Sequence, residues 1–320
     1  MRIKIIGTGS AVPENIVTNQ MLSEIMDTSD EWISTRTGIR QRRIAVTETT
    51  SGLASQAARK ALEDSGCSPE EIDLIIVATF SPDRCMPNTA CTVQAALGCK
   101  NAVAFDLNAA CSGFLFALNT AQAYMAAGIY RTALLVGAEE ISKTVDWKDR
   151  STCVLFGDGA GAAVVQAREG TPMAFVQYSD GTKGEVLTCS EKALKNPWAE
   201  PAEDPRMLCM DGQEVFKFAV RKVPECIHEV ARQAGISVSQ IDWFLLHQAN
   251  SRIIDSVAKH LGVSRERFPM NLDRYGNTSA ASIPLLLDEV RREGRIREGD
   301  LVVLSGFGAG LTWGAALLEW

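Results

Sequence analysis

Segments of this chain recur at a constant separation of 169 positions, and few folds accommodate that. Gly66 to Thr79 (GCSPEEIDLIIVAT) aligns with Gly235 to Gln248 (GISVSQIDWFLLHQ), so that Ile72-Asp73 falls on Ile241-Asp242. Asn108 (NAACSGFLFAL) falls on Asn277 (NTSAASIPLLL), and Gly137 closing ALLVG falls on Gly306 closing VVLSG. Three matches at one offset imply two similar α/β halves, residues 1–168 and 169–320, joined near 167 to 172 and facing each other across a pseudo-twofold axis. The 320 residues suffice for two units, since a domain averages about 150.

Short apolar runs bounded by Gly or Asn predict strands of sheets buried on both faces: Ile3 to Ile6, Leu74 to Ala78, Ala102 to Phe105, Ala133 to Val136, Val154 to Phe156, Trp243 to Leu246 and Leu301 to Leu304. The segments after Cys111 and Asn277 are apolar nearly all round, which predicts helices enclosed by protein. Pro284 should bend the second of these or interrupt one of its hydrogen bonds. Gly7-Thr8-Gly9 and Gly157 to Gly161 lack the full spacing of a dinucleotide-binding turn.

Composition narrows the function classes. Hydrophobic residues make up 46% and charged residues 22%, an ordinary globular balance. With 32 Lys and Arg against 39 Asp and Glu, the net charge of −7 favours neither nucleic acid nor an anionic membrane as partner. No run reaches the roughly 18 apolar residues of a membrane span, and Met1 to Pro13 enters a strand pattern, so a cytoplasmic protein is expected. Nine Cys without a Cys-x-x-Cys pair predict free thiols, and three His leave little for a metal site.

Taken singly, Cys111 reads as a small buried hydrophobe, His247 as a hydrogen-bonded structural residue and Asn277 as a helix cap. Their places say more. Cys111 lies between a strand and an apolar helix, whose free N–H groups and positive end predict a thiol pKa lowered from about 8.5 and a thiolate able to attack a thioester. Gly113 allows close approach. His247 ends a strand, where sites gather in α/β sheets. The repeat sets Asn277 opposite Asn108, three residues before Cys111. Folding the halves together should bring Cys111, His247 and Asn277 to one place.

The stretches Asp106-Leu-Asn-Ala-Ala-Cys111-Ser-Gly-Phe, His247-Gln-Ala-Asn250, Gly276-Asn277-Thr-Ser-Ala and Gly306-Phe-Gly-Ala-Gly-Leu-Thr-Trp313-Gly resemble the beta-ketoacyl-[acyl-carrier-protein] synthase III family of thiolase-like condensing enzymes. The resemblance covers essentially the whole chain. Degradative thiolases carry a second Cys in the carboxy-terminal glycine loop, and Gly306 to Gly310 has none. The resemblance implies a thiolase-like α/β fold of two duplicated halves with central buried helices, layered α-β-α-β-α. It also implies the initiating condensation of fatty acid synthesis: an acyl-CoA loads Cys111, and malonyl-acyl carrier protein then binds and loses carbon dioxide. His247 and Asn277 would hold the enolate oxygen, backbone N–H groups of Cys111 and Ala309 the acyl oxygen, and Phe307 would wall the pocket. No cofactor or metal beyond these substrates is implied.

By the same resemblance, Trp32 and Arg150 would stack on the CoA adenine, Arg36 would hold phosphate, Thr28 and Asn250 would line the pantetheine route, and Gly212 would leave it room. Carrier proteins are acidic, so Lys217, Arg252 and Lys259, with Gln248, are the expected docking residues; Arg252 and Lys259 are two helical turns apart, on one face. A homodimer is expected. Met86 stands where relatives often carry a bulky aromatic that crosses the interface and limits acyl length, which leaves the primer open. Two alternatives stand beside this reading: a specialised ketosynthase or acyltransferase of secondary metabolism, and a catalytically silent carrier-protein-binding module.

Overall fold

The structure is a computed structural model that describes residues 2–170, 174–189, 197–198 and 207–320. Its first half runs β1 (Arg2–Ala11), β2 (Ile16–Thr18), α1 (Asn19–Ser23), α2 (Asp30–Thr37), β3 (Gln41–Arg43), α3 (Thr50–Ser65), β4 (Leu74–Ala78), α4 (Thr89–Leu97), β5 (Val103–Leu107), α5 (Gly113–Ala126), β6 (Thr132–Glu139) and β7 (Gly159–Arg168). The second runs β8 (Ala174–Ser179), β9 (Leu187–Thr188), β10 (Cys209–Met210), α6 (Gly212–Gln233), β11 (Trp243–Leu246), α7 (Ser251–Leu261), α8 (Leu272–Tyr275), α9 (Ser282–Arg292), β12 (Leu301–Gly308) and β13 (Thr312–Glu319).

The repeat is written into local chemistry before it appears in the fold. Gly66 and Gly235, both at φ 70°, end α3 and the turn after α6 in the left-handed region that glycine tolerates. Ser68 with Glu71 and Ser237 with Gln240 then form matching capping boxes. Asp73 accepts from Thr132 N–H at 3.1 Å, and Asp242 accepts from Leu301 N–H at 2.9 Å, tying β4 to β6 and β11 to β12 in the same way. The two sheets follow: β1-β7-β6-β4-β5 in one, and β8-β13-β12-β11 in the other, the same order without the fifth strand. Residues 272–275, the repeat's counterpart of β5, form helix α8 instead.

Alternation along β4 shows the layers. Leu74 and Ile76 face a central core with Phe114, Leu118, Leu286 and Leu287 of α5 and α9, closed on the far side by Leu245, Val302 and Leu304 of the second sheet. Ile75 and Val77 face outward against Ala54, Ala57, Ala58 and Ala61 of α3. Helices α6 and α7 cover the outer face of the second sheet around Phe218, Ile227, Phe244 and Ile254. The order is therefore helix, sheet, paired central helices, sheet, helix, and both central helices are buried as their all-round apolarity predicts.

Two expectations change. Val154 to Phe156 is a turn rather than a strand, touching Asn277 through a single β-bridge at Phe156, and the strand begins later, at Gly159. Its small residues disguised it: a Cβ on Gly161 would lie 2.4 Å from the backbone nitrogen of Leu285, so β7 must stay thin for α9 to pack on it. Pro284 neither bends α9 nor breaks a bond, because it is the third helical residue, in the first turn, where no N–H has an intrahelical acceptor.

Candidate active site

Two identical backbone devices meet where the halves join. Asn108 accepts the Ala110 N–H at 3.1 Å and Asn277 accepts the Ser279 N–H at 2.9 Å, and both acceptor residues drive the chain into the left-handed region, at φ 47° and 49°. Each device opens a short 3-10 turn, Ala110–Ser112 or Ser279–Ala281, that feeds a central helix. Cys111 sits in the first turn. A Cβ on Gly308, at the end of β12, would come within 2.7 Å of the Cys111 nitrogen, so only glycine lets the second half press against the thiol loop. Thr312 fastens that contact through the Ala109 carbonyl at 3.2 Å.

His247 follows β11, its N–H bonded to the Ser305 carbonyl at 2.8 Å. Its Nδ1 lies 2.6 Å from the Ser282 hydroxyl at the start of α9, and its ring meets Phe307 edge to face at 5.3 Å. Asn277 is pinned by backbone bonds to Leu155 (2.8 Å) and Gly157 (3.0 Å), and with Oδ1 engaged by Ser279 its amide nitrogen remains to act as a donor. Cys111, His247, Asn277, Phe307 and Ala309 all line one cavity of about 790 Å3.

Burial dominates the electrostatics there. It pushes the Cys111 thiol up to about 12, with the Ser279 hydroxyl opposing only in part. The lowered pKa expected from the helix end is therefore corrected: the turn that holds Cys111 precedes α5 inside the protein, and lost hydration outweighs the dipole. Burial likewise holds His247 down at about 3, so the imidazole is neutral at physiological pH. Glu139, unremarked in the sequence, is fully buried at the end of β6. Burial raises it to about 7 against hydrogen bonds from Ser81, Phe80 and Thr79, which fix the turn presenting Phe80 to the cavity.

Family models for 3-oxoacyl-[acyl-carrier-protein (ACP)] synthase III match residues 105–184, and for its C-terminal part residues 231–320. A beta-ketoacyl-[acyl-carrier-protein] synthase III of Clostridium acetobutylicum is 52% identical, over 99% of this chain and 98% of the relative. This chain belongs to that family. One of Nostoc sp. is 51% identical over 99% and 98%. The crystal structure of 3-oxoacyl-[acyl-carrier-protein] synthase III from Aquifex aeolicus superposes with a TM-score of 0.93 at 47% identity, covering 99% of this chain and all of that one. The chain is accordingly a transferase, a condensing enzyme that initiates fatty acid synthesis.

In this synthase III the cavity mouth gathers part of the expected binding set. Trp32, Arg36, Gly212, Lys217, Asn250 and Arg252 line it. The Arg36 and Arg150 guanidinium carbons lie 4.7 and 5.4 Å from the Trp32 ring centre, and Arg150 also pairs with Asp27 at 3.2 Å. Asn250 caps α7 through the Arg252 N–H at 2.9 Å and donates to the Arg36 carbonyl at 3.1 Å, locking α7 to α2. Thr28, Arg150 and Lys259 stand outside the lining. Met86, 84% exposed, does not reach the cavity of its own chain.

Gln248 is a correction. It is 1% exposed, giving its amide to the Leu246 carbonyl at 2.9 Å and receiving the Asn271 N–H at 3.1 Å, so it cannot meet a docking partner. Proximity to His247 in sequence suggested a surface that the fold encloses. Apolar lining residues also escaped the sequence reading, among them Phe80, Leu187, Leu208 and Leu311. Only Phe80, just past the end of β4, carried a positional signal.

Proposed function

We propose that Cys111 attacks the thioester of an acyl-CoA, forming the acyl-sulfur bond as the CoA-sulfur bond breaks, with the thiol proton leaving on CoA. Malonyl-acyl carrier protein then enters the same cavity. Its carboxylate leaves as carbon dioxide, and the electron pair passes to an enolate whose oxygen accepts from His247 and from the amide nitrogen of Asn277. The enolate carbon attacks the acyl carbonyl, and collapse expels the Cys111 thiolate and yields 3-oxoacyl-carrier protein. Backbone N–H groups of Cys111 and Ala309 are suited to the acyl oxygen. Neutral imidazole suits this division, because decarboxylation generates the carbanion without a base and asks of the ring only a hydrogen bond.

One observation carries the reading: a thiol from one half and an imidazole and amide from the other line a single cavity. Trp32 and Arg36 in its lining, with Arg150 against the Trp32 ring from outside, suit the adenine and phosphates of CoA. On α7, Arg252 and Lys259 are both exposed and share a face, with Lys217 at the rim on α6, a cationic surface for an acidic carrier protein despite the net charge of −7. Strand β5, unpaired on its outer edge among the described residues and half-exposed along its length, and the exposed Met86 favour a second copy completing the pocket. The reading places the chain in the cytoplasm with no resident cofactor. Among the described residues, no helix is long and apolar enough to cross a membrane.

Mass spectrometry tests the first step: incubation with a series of acyl-CoAs should leave an acyl adduct on the Cys111 peptide. Absence of any adduct would leave only a silent binding module. Carbon dioxide release from malonyl-carrier protein across the same series then identifies the primer.

A further inference from the structure

The Ser282 hydroxyl lies 2.6 Å from Nδ1 of His247 and 3.4 Å from the Gln248 nitrogen, and Ser282 and His247 are each 2% exposed. A hydroxyl has one proton to give. If Nδ1 carried a proton, that N–H and the Gln248 N–H would both point at the Ser282 oxygen, and the hydroxyl proton would have no acceptor among the described residues. Buried polar hydrogens are rarely left so. The consistent arrangement is the reverse: Gln248 donates to the Ser282 oxygen and Ser282 donates to Nδ1. The other ring nitrogen hydrogen-bonds to no described residue, and His247 lines the cavity.

We propose that Ser282 is a positioning residue that fixes the His247 tautomer, so that Nε2 carries the proton and is the donor offered to the malonyl thioester oxygen. The inference deepens the functional reading above and rests on it. The repeat supplies an independent argument. At 169 positions earlier, His247 corresponds to Ala78 and Ser282 to Gly113, and these occupy the same packed contact, where a Cβ on Gly113 would lie 2.9 Å from the Ala78 Cβ. Hydroxyl and imidazole occur together in the second half and are absent together from the first. Burial, which holds the ring neutral, makes the choice of tautomer matter, since a neutral ring has one N–H. An ε-protonated ring donates to the enolate oxygen; a δ-protonated one would turn a lone pair toward it.

The test uses the full-length protein labelled with 15N-histidine. Three His are present, and a His247→Gln sample assigns the signal. The wild-type ring should show an unprotonated Nδ1 and a proton bonded to Nε2. In Ser282→Ala the two tautomers should mix, and kcat for carbon dioxide release from malonyl-carrier protein should fall about 10- to 100-fold, equivalent to about 1.4 to 2.7 kcal/mol of lost transition-state stabilisation. KM and acyl loading of Cys111 should stay within about twofold, and Ser282→Thr should restore rate and tautomer together. A wild-type ring protonated on Nδ1 overturns the proposal even if Ser282→Ala fails to fold. So does a folded Ser282→Ala protein that keeps either the Nε2-protonated ring or the full rate. Wild-type protein with the expected tautomer but no carbon dioxide release would instead refute the functional reading and leave the tautomer assignment standing.

Discussion

In the first half an asparagine, Asn108, turns the chain into a left-handed residue, Ala110, and the next residue is Cys111; in the second, Asn277 does the same for Ser279, and the next is Ala280. The backbone is conserved between the halves and the chemistry is divided between them. Both asparagines line the cavity and hold their turns in the same way, but one loop presents a thiol and the other has an alanine where the thiol would stand. Ala78 against His247 and Gly113 against Ser282 repeat the division. The lesson is that a duplicated strand-turn-helix unit supplies two sets of strand ends and helix starts, so that one reaction can distribute its steps over equivalent positions.

The most severe way to break this comparison is Cys111→Ser, which should reduce acyl loading by about ten-thousandfold or more, read as loss of the adduct by mass spectrometry. Changes on the opposite loop should behave differently. His247→Ala and Asn277→Ala should each slow carbon dioxide release by about 10²- to 10³-fold, the cost of one oxyanion donor, while loading stays measurable. Equal loss of both steps in the Asn277 variant, in a protein shown by circular dichroism to be folded, would sink the division of labour.

Next come the paired glycines. A Cβ on Gly137 would lie 2.1 Å from the Ala280 carbonyl oxygen, which belongs to backbone, whereas on Gly306 it would meet the tips of Ile283 and Leu115 at 3.3 Å. Gly137→Ala should therefore cost about 3 kcal/mol or more and Gly306→Ala about 1 kcal/mol in urea denaturation. Similar costs would mean that the halves are not held as described.

The pH effect is spread over several units. His247 has a folded pKa depressed to about 3 from 6.5, so its contribution to stability is present above 6.5 and drains away as pH falls toward 3. The stability difference between wild type and His247→Gln should shift against the wild type by up to about 1.4 kcal/mol per pH unit in that window. Glu139, raised to about 7 from 4.5, works in the opposite sense, contributing below 4.5 and losing it as pH rises through 7. The mildest change is Ala110→Gly, which relieves a left-handed alanine and should stabilise the protein by about 1 kcal/mol in thermal denaturation.

Much of this molecule was legible in its sequence because the signals are local or periodic. Capping boxes at Ser68 and Ser237, glycine stops at Gly66 and Gly235, apolar runs such as Leu74 to Ala78 and the constant offset between halves all act over a few residues or repeat, and they determined the elements, the duplication and the convergence of Cys111, His247 and Asn277. Tertiary structure alone decided what surrounds each group. Strand β7 is built of residues chosen for thinness, so its pattern reads as a loop until α9 is laid upon it. Gln248 looks exposed until Asn271 and Leu246 claim its amide. Cys111 sits near a helix start, as its position suggested, yet its proton is governed by desolvation, which sums over every neighbour in space and so has no signature along the chain.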